Sequence, residues 1–244
     1  MAFQELLLAA LAAALATSLG ALGVLLFRKI SGTTYTALLA FSAGLMAFTA
    51  VEMFSEARAA GDILAFGGVV LGVAAILLLE KLIPHIHLWV RRKHITPEKK
   101  KVALVVGTVT LHNIPEGFAI ASAFAGSTPL GWLVTAVISL QDIPEGFLIS
   151  APLACYGMDG KRCIKYGILS GVVEFAAAVL GFLFLSVIIA ATPIALAFSA
   201  GAMLFVVFVE LLPDAFRKGM EYVTALSFFF GALLAYGLAV AIGF

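Results

Sequence analysis

The sequence predicts an all-α polytopic membrane protein: eight transmembrane helices in a 3+2+3 inverted-repeat arrangement, with both termini outside. Three observations lead there. Of the 244 residues, 63% are hydrophobic and 12% charged, with a mean hydropathy of +1.12, whereas soluble domains are about half apolar and a quarter charged. Eight runs are apolar and long enough to cross a bilayer, which takes about 20 residues. Two short motifs recur in runs that cross in opposite directions.

The runs cover 4–27, 35–56, 63–83, 101–124, 129–152, 165–190, 193–214 and 222–243. Almost nothing remains for a soluble domain, so 1–244 reads as a single transmembrane domain with a basic, histidine-bearing cytoplasmic loop at 84–100. The first run has no Lys or Arg before it and carries Glu5. It therefore lacks the basic start of a cleavable signal peptide and counts as a span.

Orientation follows from the basic residues, because cytoplasmic loops collect Lys and Arg. With the N-terminus outside, the cytoplasmic side receives Arg28, Lys29, Lys81, Arg91, Arg92, Lys93, Lys99, Lys100, Lys101, Lys161, Arg162, Lys165, Arg217 and Lys218, leaving only Arg58 outside. The net charge of +1 is then a matter of topology and no sign of a nucleic-acid partner. Cys155 and Cys163 flank the cytoplasmic end of the fifth span, a reducing side where a structural disulfide is not expected.

The first echo is "LHNIPEGFAI" at 111–120 and "LQDIPEGFLI" at 140–149, in the fourth and fifth spans. The second is "FSAGLMAF" at 41–48 and "FSAGAMLF" at 198–205, in the second and seventh. Both pair spans of opposite direction. Spans 1–3 then match 6–8, and 4 matches 5, an arrangement that places a transporter's substrate site at the midplane. Small residues such as Gly44 and Gly201 serve helix packing as well.

His112 and Glu116 share a helix face, as do Gln141 and Glu145, because each pair is four residues apart. Asn113 and Asp142 lie beside those faces, and Glu174 in "SGVVEF" joins from the sixth span. Pro115 and Pro144 remove the usual partners of the Leu111 and Leu140 carbonyls, so each helix is expected to kink or widen. Glu116, Asp142, Glu145 and Glu174 are thus four carboxylates at similar depth. Ionised, they cost about 2.5–3.5 kcal/mol each, or about 10–14 kcal/mol together.

No Lys or Arg lies mid-span to offset that cost. Protons supply one form of compensation and two divalent cations another; the adjacent imidazole and amides favour cations. A set of one imidazole, carboxylates and amides suits Zn²⁺, Fe²⁺, Mn²⁺ or Cd²⁺ better than Cu⁺. Met46 reads either as packing or as a thioether ligand, and its counterpart Met203 as packing. Glu52 and Glu56 near the outer end of the second span, with Glu210 and Asp214 near the inner end of the seventh, mark a cation route. His85, His87 and His94 are either part of a solvated basic loop or transient acceptors of an exiting metal.

At these residues the sequence resembles the ZIP family, the Zrt- and Irt-like divalent metal transporters, over essentially its whole length. "HNIPEG" and "QDIPEG" are similar to the prokaryotic branch with a two-metal centre, many relatives having His where Gln141 stands. The resemblance implies metal movement into the cytoplasm across the inner or plasma membrane, by elevator-like displacement of spans 1, 4, 5 and 6 in a homodimer. It implies a first ion held by Met46, His112, Glu116, Gln141, Asp142 and Glu145, and a second by Asn113, Glu116, Asp142, Glu145 and Glu174. Glu116 and Glu145 would bridge. Phe175 departs from the proline that often follows Glu174 in relatives, a change that bears on the second site.

The expected activity is import of zinc-like divalent cations, with about two ions per subunit as bound substrate and no organic cofactor. An intramembrane metal-dependent hydrolase is the alternative. It needs an open metal position and a general base, usually with more than one His; only His112 lies in the cluster, and HExxH is absent.

Overall fold

In a computed structural model, the chain is described over residues 2–27, 30–92, 97–155, 157–216 and 219–244, by backbone alone at Ala2, 80–92, 97–106 and 108–111. The helices are α1 (Ala2–Leu22), α2 (Gly32–Arg58), α3 (Asp62–Arg92), α4 (Pro97–Gly126), α5 (Thr128–Cys155), α6 (Gly160–Val187), α7 (Thr192–Val206), α8 (Leu212–Ala215) and α9 (Glu221–Ile242). Among the described residues, seven segments are long and apolar enough to cross a membrane. They cover every predicted span but the fourth, which corresponds to the 30-residue α4.

Local chemistry sets several boundaries. Ser31 caps α2 by accepting from the Thr34 N–H at 3.0 Å, and Asp159 caps α6 through the Lys161 N–H, each satisfying an otherwise unpartnered donor. Gly243 ends α9 in the left-handed conformation, which costs glycine little.

Three expectations change. The seventh span is not one α-helix: α7 and α8 are separated by a π-helical turn, Val207–Leu211. Pro213 supplies a reason, since its ring clashes with the carbonyl four residues earlier and leaves no N–H for it. Conversely, of the kink or widening expected at Pro115 and Pro144, no π-helical widening occurs: α4 and α5 remain α-helical there, and the π turn lies in the seventh span. Finally, α3 continues to Arg92, and the expected 84–100 loop shrinks, because backbone hydrogen bonding carries a helix past the end of its apolar run. His85 and His87 thus lie on α3, where side chains fall outside the description, and His94 lies outside the described residues.

The helices form two sets of four: α1, α4, α5 and α6, and α2, α3, α7 with α8, and α9. The most extensive pairings are α4 with α6, α1 with α5, α3 with α7 and α2 with α9; α2 and α7 also meet α5 and α4 across the seam. Each pairing has a counterpart when α1–α3 exchange with α6, α7 and α9, and α4 with α5.

Glycines set the close approaches. A Cβ at Gly44 would meet the Phe228 carbonyl, and one at Gly201 the Val69 carbonyl. Without a hydrophobic drive between helices in lipid, such contacts, together with van der Waals packing, hold the bundle. Two apolar cavities of about 540 and 460 Å³ lie along the seam, one against Ile114, Pro115 and Phe118, the other against Ile143, Pro144 and Phe147. Of the seven segments, the one in α5 is the most enclosed and that in α9 the most exposed.

Candidate metal centre

The two I-P-E-G segments bring their helices together at the acidic residues. Carboxylate oxygens of Glu116, Asp142 and Glu145 all lie within 4.8 Å of one another. At an effective dielectric of about 20, each ionised pair at that separation repels by about 3 kcal/mol or more. Gln141 spans the two helices, its Nε2 donating to Glu116 Oε1 at 2.7 Å. Ser42 on α2 donates to the Gln141 carbonyl at 3.5 Å.

Glu174 joins from α6. Its backbone carbonyl stands where a Cβ on Gly117 would be, which places it beside the turn carrying Glu116. On the opposite side, the Thr17 carbonyl of α1 occupies the corresponding place against Gly146. Thr17 Oγ1 also donates to Glu174 Oε2 at 3.4 Å. The glycine following each motif glutamate is therefore what lets α6 and α1 close on the cluster.

Asn113, Glu116, Gln141, Asp142 and Glu174 are all buried, yet many of their polar atoms have no partner among the described residues. These are both amide atoms of Asn113, both oxygens of Asp142, Glu116 Oε2, Gln141 Oε1 and Glu174 Oε1. Buried polar groups are ordinarily satisfied. An unpartnered set that is almost entirely acceptor atoms fits a cation.

The carboxylate cluster is more enclosed than the pair His112 and Glu210. Asp142 and Gln141 are 0% exposed and Glu145 8%, whereas the His112 and Glu210 side chains are 13% and 23% exposed. These two meet directly, with His112 Nε2 and Glu210 Oε1 hydrogen-bonded at 2.8 Å. The π turn carries Glu210, and Asp214 follows, exposed on α8.

Met46 is buried on α2 within the main core, as is Met203 on α7. Glu52 is half-buried and Glu56 exposed farther along α2, away from the triple carboxylate contact. Sequence reasoning missed Thr17 and Ser42. A signal for Thr17 was present: the second echo is offset by 198 − 41 = 157 residues, and the same offset from position 17 falls on Glu174 (17 + 157 = 174).

A family profile described as "ZIP Zinc transporter" matches residues 91–243. The chain is 36% identical over 250 residues to zinc transporter GufA of Myxococcus xanthus, covering 97% of this chain and 98% of that protein. It is 36% identical to zinc transporter ZIPB of Bordetella bronchiseptica, over 93% of this chain and 78% of the relative. With zinc transporter ZupT of Akkermansia muciniphila it shares 30% identity, over 91% and 92%. Whole-length similarity, together with buried carboxylates on two I-P-E-G helices of a multi-pass membrane protein, leads to one assignment: the chain belongs to the ZIP zinc transporter family.

Proposed function

We propose that this protein imports Zn²⁺, and related divalent cations such as Cd²⁺, Fe²⁺ and Mn²⁺, through a binuclear centre midway across the membrane. The observation that carries the reading is the meeting of Glu116, Asp142 and Glu145 oxygens within 4.8 Å. No mid-span Lys or Arg accompanies them, so the charge that makes this contact tolerable is brought by the substrate. One ion would take Met46, His112, Glu116, Gln141, Asp142 and Glu145; the other Asn113, Glu116, Asp142, Glu145 and Glu174. The unpartnered atoms of Asn113, Asp142 and Glu174 support the second set. The family and its named relatives are transporters, which removes the hydrolase alternative.

The paired packing of α4–α6 with α5–α1 and of α3–α7 with α9–α2 supports an inverted repeat. The two seam cavities beside Pro115 and Pro144 support motion of α1, α4, α5 and α6 as one body, the elevator reading. In that reading both termini lie outside, the membrane is the inner or plasma membrane, and the working unit is a homodimer in lipid. The route runs from Glu52 and Glu56 to the centre and leaves past Glu210 and Asp214, toward His85, His87 and His94.

Zinc influx into proteoliposomes with a trapped metal-sensitive dye tests this. Wild type should show saturable influx that His112→Ala, which removes a proposed ligand, reduces by about tenfold or more, at least the loss typical of an outer-shell group. Folded, metal-binding protein that moves no zinc would overturn the transport reading. Glu210→Ala should keep the affinity of the centre while slowing influx. Wild-type flux in that variant would remove Glu210 from the route.

A further inference from the structure

We propose that Thr17 is a positioning residue: its hydroxyl holds one oxygen of Glu174 so that the other faces the second ion. This rests on the two-ion reading above. α1 is almost featureless chemically. After Glu5, its only hydroxyl side chains are Thr17 and Ser18, and Ser18 is spent locally, donating to the Ala14 carbonyl at 2.8 Å.

Thr17 behaves differently. It is 1% exposed, and its Oγ1 lies between two acceptors, the Ala13 carbonyl at 3.3 Å and Glu174 Oε2 at 3.4 Å. A helix threonine can satisfy itself on the carbonyl four residues back, so burial alone does not require the second contact. The single hydroxyl hydrogen is shared between the two acceptors, and Glu174 is left asymmetric, with Oε2 facing the hydroxyl and Oε1 buried without a partner among the described residues.

The pair is also clamped. Gly146 backs onto the Thr17 carbonyl and Gly117 onto the Glu174 carbonyl, and these glycines follow Glu145 and Glu116, the two proposed bridging ligands. The tether thus couples the orientation of Glu174 to the motif helices on both sides. Asn113, with both amide atoms unpartnered and buried, completes the neutral side of the same ion's ligand set. Groups that orient a metal ligand through a hydrogen bond typically change affinity by about 10–100-fold when removed.

The test is calorimetric zinc titration of purified full-length protein: wild type, Thr17→Val, Thr17→Ser and Glu174→Ala. Thr17→Val preserves shape and deletes the hydroxyl. It should weaken the second ion about tenfold while leaving the first ion within about twofold, and Thr17→Ser should restore the wild-type value. Thr17→Ala, with the same expected split, replaces the valine variant if the latter does not fold. In a Glu174→Ala background, adding Thr17→Val should leave the remaining ion's affinity unchanged, since the side chain that the hydroxyl orients is gone.

Equal weakening of both ions, or no rescue by serine, would overturn the positioning role and leave Thr17 as packing. A wild-type stoichiometry of one, or two ions retained by Glu174→Ala, would instead overturn the two-ion reading, and this inference with it.

Discussion

Glu145→Ala is expected to abolish measurable zinc binding, while Glu174→Ala keeps one ion. Glu145 is the proposed bridge to both ions and one of three residues whose carboxylate oxygens lie within 4.8 Å of one another. Removing it takes a negative ligand from two ions at once and leaves Glu116 and Asp142 to hold them with one charge fewer. Glu174 comes from a third helix and serves only the second proposed set. Zinc titration with metal analysis of the eluted protein separates the two: loss of about 100-fold or more in affinity for Glu145→Ala, beyond what a supporting group contributes, against a stoichiometry falling from two to one for Glu174→Ala. Equal stoichiometry in the two variants would contradict the bridge.

Gly146→Ala is expected to prevent correct assembly although it adds a single methyl group. The new Cβ would stand on the Thr17 carbonyl, a backbone atom that no rotamer change can move aside. Overpacking of a well-packed interior costs about 1–3 kcal/mol and more where the backbone must shift. Here α1 would be pushed from α5, one of the bundle's most extensive pairings. Gly237, whose Cβ would meet nothing, is the control: Gly237→Ala should purify as wild type. Monodispersity by size exclusion and the thermal midpoint report the difference, and a wild-type melting curve for Gly146→Ala would refute the close-approach argument.

Both predictions concern the segment 140–149, which was conspicuous in the sequence from the start. Pro144 and Glu145 repeat Pro115 and Glu116 at the same depth of two apolar runs, and spacing by four placed Gln141 with Glu145 and His112 with Glu116. The spans were legible for a similar reason, because hydropathy over about 20 residues is a local property. The third span shows where that reasoning stops. Hydropathy bounds the membrane crossing, whereas the helix itself continues to Arg92 on backbone hydrogen bonds that hydropathy does not measure.

Other features were not local. Glu210 reads as an acidic residue near a helix end, but the π turn at Val207–Leu211 brings it to His112 across 98 residues of chain. Thr17 reads as a small polar residue in an apolar helix until α1 closes against Gly146. The prolines of α4 and α5 promised a kink or local widening; both helices stay α-helical through them, and the π turn lies just before Pro213 in the seventh span.

By itself, then, the sequence determined a multi-pass membrane protein and apolar runs that carry Glu116, Asp142, Glu145 and Glu174 with no Lys or Arg in their middles. Only the tertiary structure decided which oxygens meet, which are tied by Gln141 and Thr17, and which remain unpartnered. The physical reason is that residue spacing specifies a face on one helix, whereas contact between helices depends on their rotation and separation. Those are set here by backbone approaches at Gly117 and Gly146 that no single-helix pattern contains.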